Sequence, residues 1–222
     1  MPRTRNDTPF VTGMRGHRVR NIDKRIARRQ QILLALAEVL AVKGYEDATL
    51  DDVAARMNCS KAVIYYQFKS KADVFVALVE QVNRDAIARL REIASTDASP
   101  EAQLRAAIDS LVQFGWQPLD YASIRVRRPS SLPREARIYL RALDREYEDI
   151  FTDIVRRGMD TGAVARRNPR FVALTLINAV LSVFRWARPG GALSTDDLQR
   201  EIPAMLLNGV LTPGGSRAED GR

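Results

Sequence analysis

Apolar residues in this chain recur three and four positions apart over most of its length, and no stretch alternates as a strand would, so the pattern predicts an all-α protein. A first helix is expected from about Asp23, with Ile26, Leu33, Leu36, Ala37 and Leu40 on one face and Gly44 as its stop. Thr49 then caps a short helix that carries Asp51 and Asp52 in its first turn and Leu50, Val53, Ala54 and Met57 as its apolar face. Asn58 suits the left-handed residue that ends it, and Ser60 caps a third helix from Lys61 to about Gln67. The pattern resumes at Lys71 and runs to about Ala94 through Val74, Phe75, Leu78, Val82, Ile87 and Leu90. Further helices are expected at about 101–115, 119–127, 134–160, 169–187 and 195–211, punctuated by Pro118, Pro129, Pro133, Gly162 and Pro189.

That makes about nine helices, arranged as an N-terminal three-helix helix-turn-helix domain followed by a helical ligand-binding and dimerisation domain. The expected divisions are a basic flexible arm over 1–22, the helix-turn-helix domain over 23–72, the effector and dimerisation domain over 73–212, and a tail over 213–222. On the third helix Ile64 and Phe68 share a face and should pack inward, which turns Ala62 and Tyr66 outward with Val63 and Tyr65 flanking. A recognition helix presents its N-terminal part to base edges. Lys61 is then placed to donate to guanine or to a phosphate, Ala62 and Val63 to touch thymine methyls, and Tyr65 and Tyr66 to bond phosphates through their hydroxyls. Thr49 and Lys71, at the starts of their helices, are expected to meet phosphates as well.

Charge strengthens this picture. The net charge is +8, and residues 1–71 hold fourteen Lys and Arg against seven acids, so nearly all of it lies at the helix-turn-helix end. A polyanion is the natural partner. The single histidine, His17, and the single cysteine, Cys59, provide neither a metal cluster nor an internal disulfide, and no Gly-rich phosphate loop or nucleophile–base set is present. No enzyme activity and no cofactor are expected. The longest apolar run, Phe171–Phe184, is too short for a membrane span and contains Thr175, Asn178 and Ser182, and the N-terminus has no apolar export core. A reducing cytoplasm fits the lone cysteine. Cys59 itself reads either as a redox sensor or as a small packed turn residue. Two rival classes stay open: a basic helical protein acting at membrane surfaces, and an enzyme without a recognisable motif.

The run Gly44-Tyr45-Glu46-Asp47-Ala48-Thr49-Leu50-Asp51-Asp52-Val53-Ala54, followed by Cys59-Ser60-Lys61-Ala62-Val63-Ile64-Tyr65-Tyr66-Gln67-Phe68-Lys69-Ser70-Lys71, resembles the DNA-binding domain of the TetR family of bacterial transcriptional regulators. The likeness is close over residues 24–72 and is one of architecture beyond them. Ala62 stands where the family often has Gly, Gln67 where His is frequent, and Asn58 in place of a common turn Gly. The resemblance implies a ligand-responsive regulator, a repressor by expectation, that binds a near-palindromic double-stranded operator as a homodimer. It implies similar DNA roles for Thr49, Lys61, Ala62, Val63, Tyr65, Tyr66 and Lys71.

The helix at 169–187 is apolar on most sides and must be covered all round. With the helix at 195–211 it is expected to form a four-helix dimer interface through Leu174, Ile177, Leu181, Phe184, Leu198, Ile202, Met205 and Leu206. The middle helices would enclose an effector pocket lined by Leu78, Leu111, Phe114, Trp116, Tyr121, Ile124, Arg125, Tyr147 and Phe151. Arg125, Arg127 and Arg128 at the mouth of an apolar pocket suit a fatty acid or acyl-CoA, and the resemblance of the C-terminal half to lipid- or steroid-responsive members of the family implies a steroid-like effector as well.

Overall fold

A computed structural model describes residues 14–115, 129–184, 186–187 and 194–208. Among the described residues there are eight helices and no strand: α1 (Met14–Asp47), α2 (Leu50–Arg56), α3 (Lys61–Tyr65), α4 (Lys71–Ala94), α5 (Pro100–Gly115), α6 (Arg134–Asp160), α7 (Pro169–Val183) and α8 (Thr195–Asn208). The helix expected at about 119–127 lies outside the described residues. No described helix is long and apolar enough to cross a membrane, and no metal-binding cluster occurs among the described residues.

Two boundaries differ from the sequence reading. The first helix begins at Met14 rather than near Asp23, so the segment read as a flexible arm is helical in its second half. Ile26, expected on the apolar face of this helix, is 62% exposed and not part of the core, which begins at Ile32. Gly44 breaks α1 after Lys43 as expected, with φ 73° and ψ 175°, a conformation that strains any side chain. α7 stops at Val183, short of the expected 187, and gives way to a last turn in which the amides of Trp186 and Ala187 share the Val183 carbonyl, at 3.2 and 2.9 Å.

Two apolar cores share the molecule. The first gathers α1, α2, Ile64 and Phe68, the first half of α4 through Val82, and Leu132, Leu140 and Leu143 from the start of the α6 region. The second gathers α4 from Ala86 onward, α5, the rest of α6, α7 and α8. Phe114 packs against both. The seam between the cores therefore falls inside α4, between Val82 and Ala86. At about 1.5 Å per residue, a 24-residue helix is roughly 36 Å long and can serve both.

α4 and α6 run side by side in the same direction. Tyr139 lies beside Glu80 and Arg84, Arg91 pairs with Glu146 at 2.6 Å, and Arg157 donates to the Ala94 carbonyl at 3.2 Å. One residue on this contact breaks the apolar rule. Asn83 is 0% exposed, and neither its amide nitrogen nor its amide oxygen has a hydrogen-bond partner among the described residues. Each orphaned group of that kind costs about 1–3 kcal/mol.

Candidate nucleic-acid interface

The helix-turn-helix is built by local chemistry. The Thr49 hydroxyl accepts from the Asp52 amide at 3.1 Å and donates to the Asp52 carboxylate at 2.8 Å, while the Thr49 amide donates to the same carboxylate at 3.0 Å. This capping box starts α2. Lys43 adds an ion pair to Asp52 at 2.6 Å. The Lys43 bond, then the Thr49 hydroxyl, hold the Asp52 carboxyl down to about 2. Asn58 takes the left-handed turn with φ 48°, and the Cys59 amide returns to Ala54 O at 3.0 Å. Ser60 occupies the N-cap position of α3 in extended conformation, but its side chain makes no capping bond. The expected Ser60 cap is thus one of position only.

α3 presents the faces its spacing demands. Ile64 is 0% and Phe68 5% exposed, and both belong to the first core. Opposite them Ala62 is exposed, Tyr65 is 50% and Tyr66 80% exposed, and Val63 is half-buried at the edge. Two fully buried anchors thus hold a short, outward-facing ridge of methyl and phenol groups. Lys61 stands in the first turn, paired with Asp51 of α2 at 2.7 Å and 5.8 Å from the Tyr65 ring. The bond it donates to the Asp51 carboxylate raises the lysine's pKa, so the ammonium stays charged. α1 lies against the C-terminal end of α3. Arg29 stacks over the Phe68 ring at 4.5 Å and the Gln67 amide donates to Arg25 O at 3.4 Å. Lys24, Arg25 and Arg28 are exposed beside it. Lys69, which the sequence reading passed over, is exposed just beyond the ridge and has no ion pair among the described residues. Its signal was its place directly after the Tyr65–Phe68 run.

Two expected phosphate contacts have other work. The Thr49 hydroxyl and amide are both used by Asp52. Lys71 does not point to solvent: its ammonium donates to three backbone carbonyls, Tyr45 at 2.7 Å, Ala48 at 2.9 Å and Glu46 at 3.2 Å. It also lies 4.4 Å over the Tyr45 ring, which meets Phe75 edge-on at 4.9 Å. An ammonium has three donors, and all three are engaged. Lys71 clamps the α1–α2 connection onto α4, because the carbonyls left over where α1 breaks at Gly44 need a donor. Next to this clamp the Ser131 hydroxyl donates to the Glu46 carboxylate at 2.9 Å, and Leu132 is 2% exposed within the first core.

The residues expected around an effector divide. Trp116, Tyr121, Ile124 and Arg125, with Arg127 and Arg128, lie outside the described residues. Leu111, Tyr147 and Phe151 are closed into the second core at 2% exposure or less. Leu78 and Phe114 border a cavity of about 460 Å³. Its remaining apolar wall is Leu33 and Leu34 of α1 and Val82 of α4. The cavity thus opens toward the DNA-binding half rather than lying wholly among the helices after residue 72. The contribution of α1 was not legible from a pattern read one helix at a time.

The expected dimer residues divide too. Ile177, Leu198 and Ile202 are 3–4% exposed inside one chain's own second core, which corrects their placement at a partner's surface. A helix apolar on two sides gives one of them to its own chain. Leu174, Leu181, Phe184 and Leu206 are half-buried and Met205 is 49% exposed. Phe171 and Trp186, at 67% and 60%, are exposed in the same region and were missed.

Residues 97–210, half of the chain, match the family described as "Tetracyclin repressor-like, C-terminal domain". Residues 32–78 match "Bacterial regulatory proteins, tetR family". The transcriptional activator FasR of Mycolicibacterium smegmatis is 32% identical over 99 residues, so the matched part spans 45% of either chain. The transcriptional repressor KstR2 of the same species is 26% identical over 200 residues, 86% of this chain and 94% of KstR2. A crystal structure of a TetR/AcrR-family transcriptional regulator from Thermobifida fusca is 32% identical and has a TM-score of 0.69, over 84% of this chain and 100% of that one. With a buttressed recognition helix at one end and the family's C-terminal domain over the other half, the chain belongs to the TetR family of bacterial transcriptional regulators.

Proposed function

We propose that this regulator acts as a repressor, that it binds a near-palindromic operator as a homodimer through α3, and that a small apolar or acyl-type ligand releases it. The observation that carries the DNA reading is the outer face of α3: Ala62, Tyr65 and Tyr66 exposed on a five-residue helix that Ile64 and Phe68 fix to the core. In this reading Ala62 and Val63 meet bases, Lys61 exchanges Asp51 for a base or phosphate, and Tyr65, Tyr66 and Lys69 position the backbone. Thr49 acts by capping α2 and Lys71 by clamping it.

The exposed Phe171, Trp186 and Met205 support pairing through α7 and α8, together with the half-buried Leu174, Leu181, Phe184 and Leu206. A two-fold dimer sets its two α3 helices about one DNA turn apart, roughly 34–36 Å. The cavity sets Leu33, Leu34, Leu78, Val82 and Phe114 beside Gln30, Gln81, Asp85, Arg89, Ser110 and Gln113, and this supports an amphipathic ligand with an apolar part and a polar or charged group, a description that covers fatty acids, acyl-CoAs and steroid-like molecules. For release by about 100-fold the ligand must favour the non-binding spacing by about 2.7 kcal/mol, and operator DNA must weaken the ligand by the same factor.

Selecting bound duplexes from a random pool, then titrating the selected operator with and without such ligands, tests the reading. The expected result is a two-fold-symmetric site and a ligand that weakens it. Binding without duplex preference, or equally to anionic vesicles, overturns it.

A further inference from the structure

The first core begins on α1 at Ile32, yet α1 itself begins at Met14. Eighteen residues of helix, 14–31, therefore precede the packed part, about 27 Å at 1.5 Å per residue. The match to the family's N-terminal domain also starts at residue 32, so this segment lies outside the shared domain. It holds seven Lys and Arg against one acid, Asp23. Every residue from 23 to 29 is exposed. A helix exposed all round ordinarily gains support from opposite charges three or four residues apart. Here the four-residue spacings set Lys24 beside Arg28 and Arg25 beside Arg29, so the neighbours repel. The same half of the molecule supplies acids to Lys43, Arg56 and Lys61. Lys24, Arg25 and Arg28 have no ion pair among the described residues.

The place of the segment selects its partner. Arg29 stacks over the Phe68 ring at 4.5 Å, and the Gln67 amide donates to the Arg25 carbonyl at 3.4 Å. The basic helix thus leaves the body at the end of α3, where Tyr65, Tyr66 and Lys69 stand exposed. A duplex seated on α3 continues past that end and carries one negative charge per about 1.7 Å of its axis. A membrane surface calls for an apolar face. Residues 23–29 offer only Ile26 as a large apolar side chain.

Resting on the DNA reading above, we propose that residues 14–31 of α1 form a second DNA-binding surface, which engages the sugar-phosphate backbone beside the bases that α3 faces. Phosphate contacts position a protein and carry no sequence information directly. The surface therefore strengthens binding to any duplex, steepens its salt dependence, and leaves the choice of sequence to α3.

The test compares the full chain with the triple variant Lys24→Ala, Arg25→Ala, Arg28→Ala. Fluorescence anisotropy between 50 and 200 mM salt is read on the duplex selected from a random pool and on a scrambled duplex of equal length. Alanine is the better helix former, so the urea midpoint should hold. The preferred sequence should hold too. The slope of log affinity against log salt should flatten on both duplexes by about 0.9 per lost contact, about 2–3 per subunit. Hydroxyl-radical footprints should lose protection of sugars beside the α3-contacted bases. Arg25→Lys with Arg28→Lys keeps the charge and should keep the slope. If the triple variant fails to fold, Arg28→Ala alone is read for a change of about 0.9. An unchanged slope overturns the surface and leaves the α3 reading intact. A changed base preference overturns the backbone assignment. An unchanged slope with lost binding to phosphatidylglycerol vesicles overturns it in favour of a membrane. A slope that flattens where the native protein does not prefer the selected duplex supports the surface and overturns the α3 reading alone.

Discussion

Replacing Lys71 by methionine keeps the aliphatic stem and removes the ammonium, which separates two roles for this residue. In the structure the ammonium donates to the carbonyls of Tyr45, Ala48 and Glu46 at 2.7, 2.9 and 3.2 Å, the first two partly buried. Hydrogen bonds from a charged donor contribute about 1.5–3 kcal/mol each, and the edge-on-packed Tyr45 ring adds about 0.5–1 kcal/mol. Water reaches some of the freed carbonyls, so the loss in unfolding free energy should be about 2–4 kcal/mol. With a urea m-value of about 2 kcal/mol/M, the midpoint should fall by about 1–2 M. Operator affinity should fall too, since the α1–α2 connection loosens, but by a similar factor at every salt concentration. A phosphate contact behaves otherwise. Its loss flattens the slope of log affinity against log salt by about 0.9 per subunit, or about 1.8 for a dimer. Urea unfolding together with fluorescence anisotropy between 50 and 200 mM salt reads both quantities. An unchanged midpoint with a slope flatter by about 1.8 would refute the clamp.

Lys69→Ala should give the converse, with unchanged stability and a salt slope flatter by about 0.9 per subunit; an unaltered slope removes Lys69 from the interface. Tyr66→Phe should weaken all duplexes alike, whereas Val63→Ala should change which bases are tolerated, on the order of tenfold at the affected position. Selection from a random pool compares the two, and a change of preference in Tyr66→Phe alone reverses the assignment. Asp52 has a folded pKa of about 2 against an ordinary 3.8, so its cap is fully in place above the ordinary value and is lost as pH falls toward 2. An NMR titration of its carboxyl carbon checks this, and a midpoint near the ordinary value would remove the cap's pH dependence. Met205→Glu should yield a folded monomer by light scattering, because Met205 is exposed in one chain, while Ile177→Glu should not fold, because it places an unpaired carboxylate in that chain's core. A Met205→Glu protein that remains a dimer takes this residue out of the interface.

The helix-turn-helix was legible because each of its parts leaves a local trace. The Thr49–Asp52 capping box, the left-handed Asn58 and the inward pair Ile64 and Phe68 all act within a few residues of one another. Spacing alone therefore set the exposed face of α3 correctly. Where a residue's partner is distant in sequence, the same reasoning misled. Lys71 sits at a helix start with positive charge, which locally reads as a phosphate contact. Its actual partners are carbonyls more than 20 residues earlier, exposed only because α1 breaks at Gly44.

Periodicity reports that a side chain is covered, not what covers it. Ile177, Leu198 and Ile202 carry the same apolar signal as Leu174 and Leu206, yet the first three close their own chain's core and the others reach toward its surface. The two faces of one helix are separable only once the neighbouring helices are in place. The same limit hid the role of α1 in the cavity, since Leu33 and Leu34 continue a core stripe in sequence and become cavity wall only once residues of α4 and α5 complete the lining. Asn83 is the inverse case. The sequence reading passed over it, because an isolated asparagine in a helix ordinarily faces water. Its complete burial at the seam of two cores is a property of the tertiary arrangement and not of the residue's neighbours in sequence.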